Sequence, residues 1–162
     1  MADIARAAKL TVPGLLHHFP SKISLLTAVL AEGDRVDRER FDPSRRGAAV
    51  DWLVSFQSLV EYNQTVPGLV QLFTVLVAES IDEKHPGHEF YMRRYQNIRQ
   101  QSTAVLRKAQ ARGEIRKDIP AEELVIMLFA MMDGLQVQWL YEPYRIKMAH
   151  LFEQFLRLLR EK

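Results

Sequence analysis

The sequence predicts an all-α fold: a small helix-turn-helix head followed by a larger helical body. Three observations carry this expectation. Apolar residues recur at helical spacings along the whole chain, and no stretch shows the strict alternation of a half-buried strand. Seven prolines and seven glycines divide the chain into about eight helical segments. The first thirty residues set two short helices, joined by a tight turn, ahead of a longer one.

Taken in order, the first helix is expected from Ala2 to Ala8, with Ile4 and Ala8 on one face. A turn through Lys9 and Leu10 follows. Thr11 is a good N-cap for the second helix, and Pro13 falls in its first turn, where a missing N–H costs little. Ser21 caps a third helix over Lys22–Phe41, with Leu25, Leu26, Val29 and Leu30 as its apolar stripe. The segment DPSRRG reads as a turn, and longer helices are expected over 46–63, 67–82, 86–112, 120–142 and 144–161. The head with its linking helix spans 1–45, and the body spans 46–162.

The last two helices carry more apolar surface than one small bundle needs. Leu124, Leu128, Met131, Leu135 and Trp139 form one row, with Val125, Phe129 and Met132 beside it. Met148, Leu151, Phe152, Phe155, Leu158 and Leu159 form another. Such an excess commonly enters a subunit interface. A homodimer is therefore expected, with Leu128, Leu135, Trp139, Leu151, Phe155 and Leu158 at or near its interface; burial inside one protomer is the alternative.

Composition excludes several chemistries. With no cysteine among its 162 residues, the chain has no disulfide, thiolate nucleophile or Cys-ligated zinc. The start MADIARAAKL lacks the apolar run of a secretory signal, and the longest apolar run, Leu124 to Met132, is far short of ~20 residues. A cytoplasmic protein without membrane partners is expected. The net charge of +2 lies wholly in the N-terminal quarter, where residues 1–46 carry eight Lys/Arg against six Asp/Glu. This mild basic bias fits nucleic-acid contact.

The second helix suits entry into a DNA groove. Thr11 offers a hydroxyl to a phosphate, and the free N–H groups of the first turn favour the same anion. Val12, Pro13 and Gly14 present a slim face to base edges, His17 stands one turn on, and Lys22 opens the next helix as a phosphate clamp. Other constellations read blandly. His17 and His18 point about 100° apart on a helix and cannot readily share a metal ion. His85-Pro-Gly-His88 marks the solvated start of a helix, and Glu122–Glu123 sit in a first turn where carboxylates favour the helix dipole. No catalytic residues, cofactor or metal are expected.

ADIARAAKLTVPGLLHHFPSKISLLTAVL resembles the helix-turn-helix signature of the TetR family in its Asp-Ile-Ala opening, the Ala-Ala before the turn, the Thr start of the recognition helix, His-Phe at its close and Ser-Lys before the linking helix. PGLVQLFTVLVAES, HPGHEFYMRRY and MMDGLQVQWLYEP resemble the family's ligand-binding and dimerisation helices. The resemblance implies a ligand-responsive transcriptional regulator, a repressor released from operator DNA by a small-molecule effector. The alternative is a dimeric helical small-molecule-binding module that no longer binds DNA. An effector cavity of ~300–1,000 Å³ is implied among the middle helices, lined by some of Trp52, Phe56, Phe73, Tyr95, Met127 and Met131. Asn63, Gln136 and Gln138 are candidates to orient the ligand, while core packing is the competing role for each aromatic and methionine.

Three departures from the family pattern stand out. Lys9 occupies a turn position usually held by Gly, which implies either a costly positive φ or a different turn geometry. Leu16 replaces an aromatic that touches phosphate. The family's first helix would precede Met1, which a start assigned at an internal valine codon would explain. On that reading Ile4, Leu15 and Phe19 lose cover, the chain as numbered binds DNA weakly, and a version extended upstream binds a palindromic operator.

Overall fold

Lys9 adopts φ 56°, the left-handed one of the two geometries open to its turn, and this one residue ends the first helix. The protein's structure, a computed structural model, describes residues 1–41 and 52–160, apart from the side chains of Arg38 and Phe41. Helix α1 (Ala2–Ala7) closes in a Schellman arrangement: Leu10 N–H donates to Ala5 O at 2.8 Å and Lys9 N–H to Arg6 O at 3.1 Å. Its buried residue is Ala5, whereas Ile4 and Ala8 are exposed, so the inward face lies one position from the expected one. In α2 (Val12–His18) the Thr11 hydroxyl accepts from Gly14 N–H at 3.1 Å, as an N-cap should.

Helix α3 (Lys22–Phe41) opens on a reciprocal cap in which Ser24 N–H donates to Ser21 Oγ and Ser21 N–H to Ser24 Oγ, each at 3.0 Å. Leu25 and Leu30 are buried and Leu26 is half-buried. Val29, about 100° round the helix from Leu30, is exposed instead of joining their stripe. The DPSRRG turn, the start of the next helix at 46, the division at residues 45 and 46 and the expected end of the last helix at 161 lie outside the described residues.

The body consists of α4 (Trp52–Asn63), α5 (Pro67–Glu79), α6 (His88–Arg112), α7 (Ala121–Tyr141) and α8 (Met148–Arg160). Gly113, at φ 73°, stops α6 in the conformation that glycine adopts without penalty. The largest difference from expectation is the start of α8. Pro143 follows the end of α7, residues 142–147 form a turn closed by Ile146 N–H to Glu142 O at 2.9 Å, and Tyr144 is fully exposed.

The main core joins α4, α6, α7 and α8 around Leu124, Val125, Leu128, Met148 and Phe152. Phe56 meets Phe129 edge-on at 5.2 Å. A second cluster of Leu30, Leu76 and Tyr91, with Leu26, Leu69 and Phe73 against it, docks α3 onto α5 and α6. Leu128, Leu135 and Trp139 are buried in the core of one protomer. Leu151 and Leu158 are exposed and Phe155 is half-buried.

Two outcomes test this account. Phe152→Ala should cost about 3–5 kcal/mol in urea denaturation, the usual loss for a fully buried aromatic. Lys9→Gly should stabilise the chain by up to about 1 kcal/mol, because glycine occupies left-handed backbone without the Cβ penalty. A loss of stability in that variant would show that Lys9 is not strained.

Candidate functional sites: the head surface and the body cavity

On the head, Leu15 points inward from α2 while Thr11, Pro13, His17 and Lys22 are all exposed. Val12 and Gly14 are half-buried. Helix α2 has no acidic residue, and Lys9 and Lys22 flank it. The predicted DNA-facing residues are thus exposed or half-buried on a helix free of acidic side chains. Gly14 has a role the sequence did not reveal: a Cβ there would lie 3.1 Å from Thr11 Oγ1 and crowd the cap.

Between α3 and the body helices lies a cavity of about 850 Å³. Helix α3 supplies Leu30, Gly33, Asp34 and Asp37 to its wall, and α4 supplies Trp52, Phe56, Leu59 and Asn63. Phe73 comes from α5, Arg94, Ile98, Ser102 and Lys108 from α6, and Phe129, Met132 and Gln136 from α7. Of the residues expected from sequence, Trp52, Phe56 and Phe73 meet here, with Asn63 and Gln136.

Tyr95, Met127 and Met131 do not line it. Tyr95 turns toward α7, where its hydroxyl donates to Asp133 Oδ2 at 2.8 Å; burial, and then the Asp133 charge, raise its pKa. Met127 and Met131 lie on the exposed face of α7. Gln138 is exposed too, its amide donating to Gly134 O of its own helix. Adjacent helical residues differ by about 100°, and α7 is apolar on both sides, so sequence alone did not reveal which row faced inward.

Sequence reasoning missed the charged residues of the wall. Arg94 donates to Asp34 through Nε at 2.6 Å and Nη2 at 2.7 Å, and its guanidinium lies 4.7 Å from the centre of the Phe73 ring. Burial, and then the like charge of Asp34, push the Asp37 carboxyl above its ordinary pKa. Asp34 and Arg94 are 60 residues apart, and no local pattern links them. His85 and His88 act locally: His85 Nδ1 accepts from Gly87 N–H at 3.1 Å, and His88 Nδ1–H donates to Ser80 O at 2.9 Å.

Comparison with known proteins finds one family profile in the head and one in the body. A family profile for bacterial regulatory proteins of the tetR family matches residues 1–29, and one for the tetracyclin repressor-like C-terminal domain matches residues 51–134. A chain from Saccharomonospora viridis assigned as a transcriptional regulator, crystallised in complex with choline, superposes with a TM-score of 0.74 at 25% identity, over 96% of this chain and 83% of its own. A chain from Rhodococcus sp. assigned as a TetR-family transcriptional regulator gives 0.73 at 24% identity, over 98% and 86%. No curated protein matches the chain by sequence.

Removing one partner of the Asp34–Arg94 pair should be costly, since both side chains are only about a fifth exposed. Asp34→Ala leaves the guanidinium uncompensated and should destabilise the protein by about 2–4 kcal/mol in urea denaturation. A change below about 0.5 kcal/mol, typical of surface pairs, would mean that water replaces the carboxylate freely.

Proposed function

Because the chain belongs to the TetR family of bacterial transcriptional regulators, we propose that it is a homodimeric repressor whose head releases operator DNA when a small molecule fills the cavity. The observation that carries this reading is the double role of α3. Its Lys22 end leaves the head, while its Asp34 and Asp37 stand in the cavity wall, roughly 20 Å along at 1.5 Å per residue. A ligand that favours one packing of that wall biases the position of the head in the same step. The choline bound to the Saccharomonospora viridis regulator supports a small-molecule effector here.

Recognition is assigned to α2 in the major groove, with Thr11, His17 and Lys22 on phosphates and Val12, Pro13 and Gly14 against base edges. The second protomer is assigned to the outer faces of α7 and α8, where Met127, Met131, Leu151 and Leu158 are all more than a third exposed. Isolated exposed apolar residues need no partner, but a contiguous row on two helices does. The reading is non-enzymatic and places the protein with DNA in the cytoplasm. The family match over residues 1–29 favours it over a module that has lost DNA binding.

Selection from a pool of random duplexes, at fixed salt, tests the DNA assignment. A palindromic site should be enriched, and Lys22→Ala should weaken binding to all sequences alike while lowering the salt slope by about 1. If no sequence outcompetes bulk DNA, the regulator lacks the assigned specificity. In sedimentation, Leu151→Glu should give monomers with native helicity, because a stable interface of at least ~1,200 Å² cannot bury that charge. A dimer that survives both Leu151→Glu and Met131→Glu places the interface elsewhere.

A further inference from the structure

The cavity is long, and its two ends differ in charge. Its wall along α6 runs from Arg94 to Arg112, about 27 Å at 1.5 Å per residue. Spread over that length, 850 Å³ leaves a passage of roughly 30 Å² in section, suited to an elongated ligand. Its middle is apolar, formed by Phe56, Ile98, Val105, Phe129 and Met132.

At the α3 end, Arg94 is committed to Asp34 and to the Phe73 ring, which leaves acceptors without partners. Gln136 is 3% exposed, and its Oε1 has no hydrogen-bond partner. Asp37 accepts no hydrogen bond among the described residues. Its charged surroundings are Asp34, Arg94 and Arg40, and Arg40 lies over the Tyr62 ring outside the cavity lining. The charged groups on the wall at this end are thus two carboxylates and one guanidinium. At the far end Lys108 and Arg112 line the wall, and Arg112 is paired with Glu114. A buried amide oxygen without a partner beside a half-buried carboxylate favours a ligand that brings N–H donors and positive charge, and Lys108 disfavours such a group at the other end.

Taking the cavity as the effector site, we infer that it binds an elongated amphiphilic amine, whose protonated amino group donates to the Asp37 carboxylate and Gln136 Oε1 and whose hydrocarbon body lies along α6 toward Lys108. This assigns the ligand an orientation and a chemical class. It also puts the ligand's charged group on α3, the helix that leads to the head.

Four probes of equal chain length separate the contributions: hexylamine, hexyltrimethylammonium, hexanoate and hexanol, each titrated calorimetrically at neutral pH into the wild-type protein, Asp37→Asn and Gln136→Leu. Hexylamine should bind tightest. Asp37→Asn should weaken it at least about tenfold, as expected for a lost charged hydrogen bond. Gln136→Leu should narrow its advantage over the trimethyl probe, which has no N–H. Circular dichroism identifies any variant that fails to fold, and the other variant then decides. Preference for hexanoate, equal binding of the trimethyl probe, or hexylamine binding indifferent to both substitutions overturns the inference while leaving the cavity a ligand site. If none of the four probes binds the wild-type protein, the effector-cavity reading fails with it.

Discussion

The bidentate contact between Asp34 and Arg94 joins the helix that carries the head to the longest helix of the body, and it does so in the wall of the cavity. Burying two charges has a desolvation cost that only good geometry and further contacts offset. Both conditions are met here, by two short hydrogen bonds and by the Phe73 ring under the guanidinium. Beside the pair, the Leu30–Leu76–Tyr91 cluster supplies the apolar contact that sets how closely α3 approaches. Apolar contact alone tolerates sliding, whereas a forked hydrogen-bonded pair fixes register. Together they make α3 a part of the body that ends in the head.

The two faces of α7 divide the labour of the body. One face, with Leu124, Leu128, Leu135 and Trp139, is fully committed to the protomer core. Phe129, Met132 and Gln136 border the cavity from the same helix. The outward face keeps Ile126, Met127, Met131 and Val137 accessible. A helix apolar on all sides normally belongs in an interior or an interface. Here the cavity and core account for one side, and in the proposed dimer a second protomer covers the other.

That same all-round apolarity limited what the sequence could reveal. Helix positions were legible because caps and breakers mark them: Ser21, the Thr11–Pro13 start, Pro120 and Gly113 each sit where a helix begins or stops. The positive φ of Lys9 was legible only as one of two options, because a Lys where such turns favour Gly can also signal another geometry. Rotational phase on α7 was not, because neighbouring apolar rows give a helical wheel no contrast. Three of the six expected lining residues reached the cavity, all of them aromatics on α4 and α5. The charged part of the wall depends on contacts across 60 residues, which periodicity cannot detect.

The head differs from the body in what holds it. Its helices rely on local devices, namely the Schellman closure at Lys9, the Thr11 cap and the Ser21–Ser24 box. Its buried apolar side chains are few, chiefly Ala5, Leu15 and Leu25, while Ile4, Leu10 and Leu16 are exposed. A two-turn helix is not stable alone, so α2 persists through these caps and through packing against its neighbours. Such a unit has little independent stability with which to resist displacement. Its orientation must then follow α3, the helix that continues from it into the body. In the proposed mechanism a shift of α3 at Asp34 or Asp37 moves the helix that supports α2, because the cavity wall and the support of the head are the same helix.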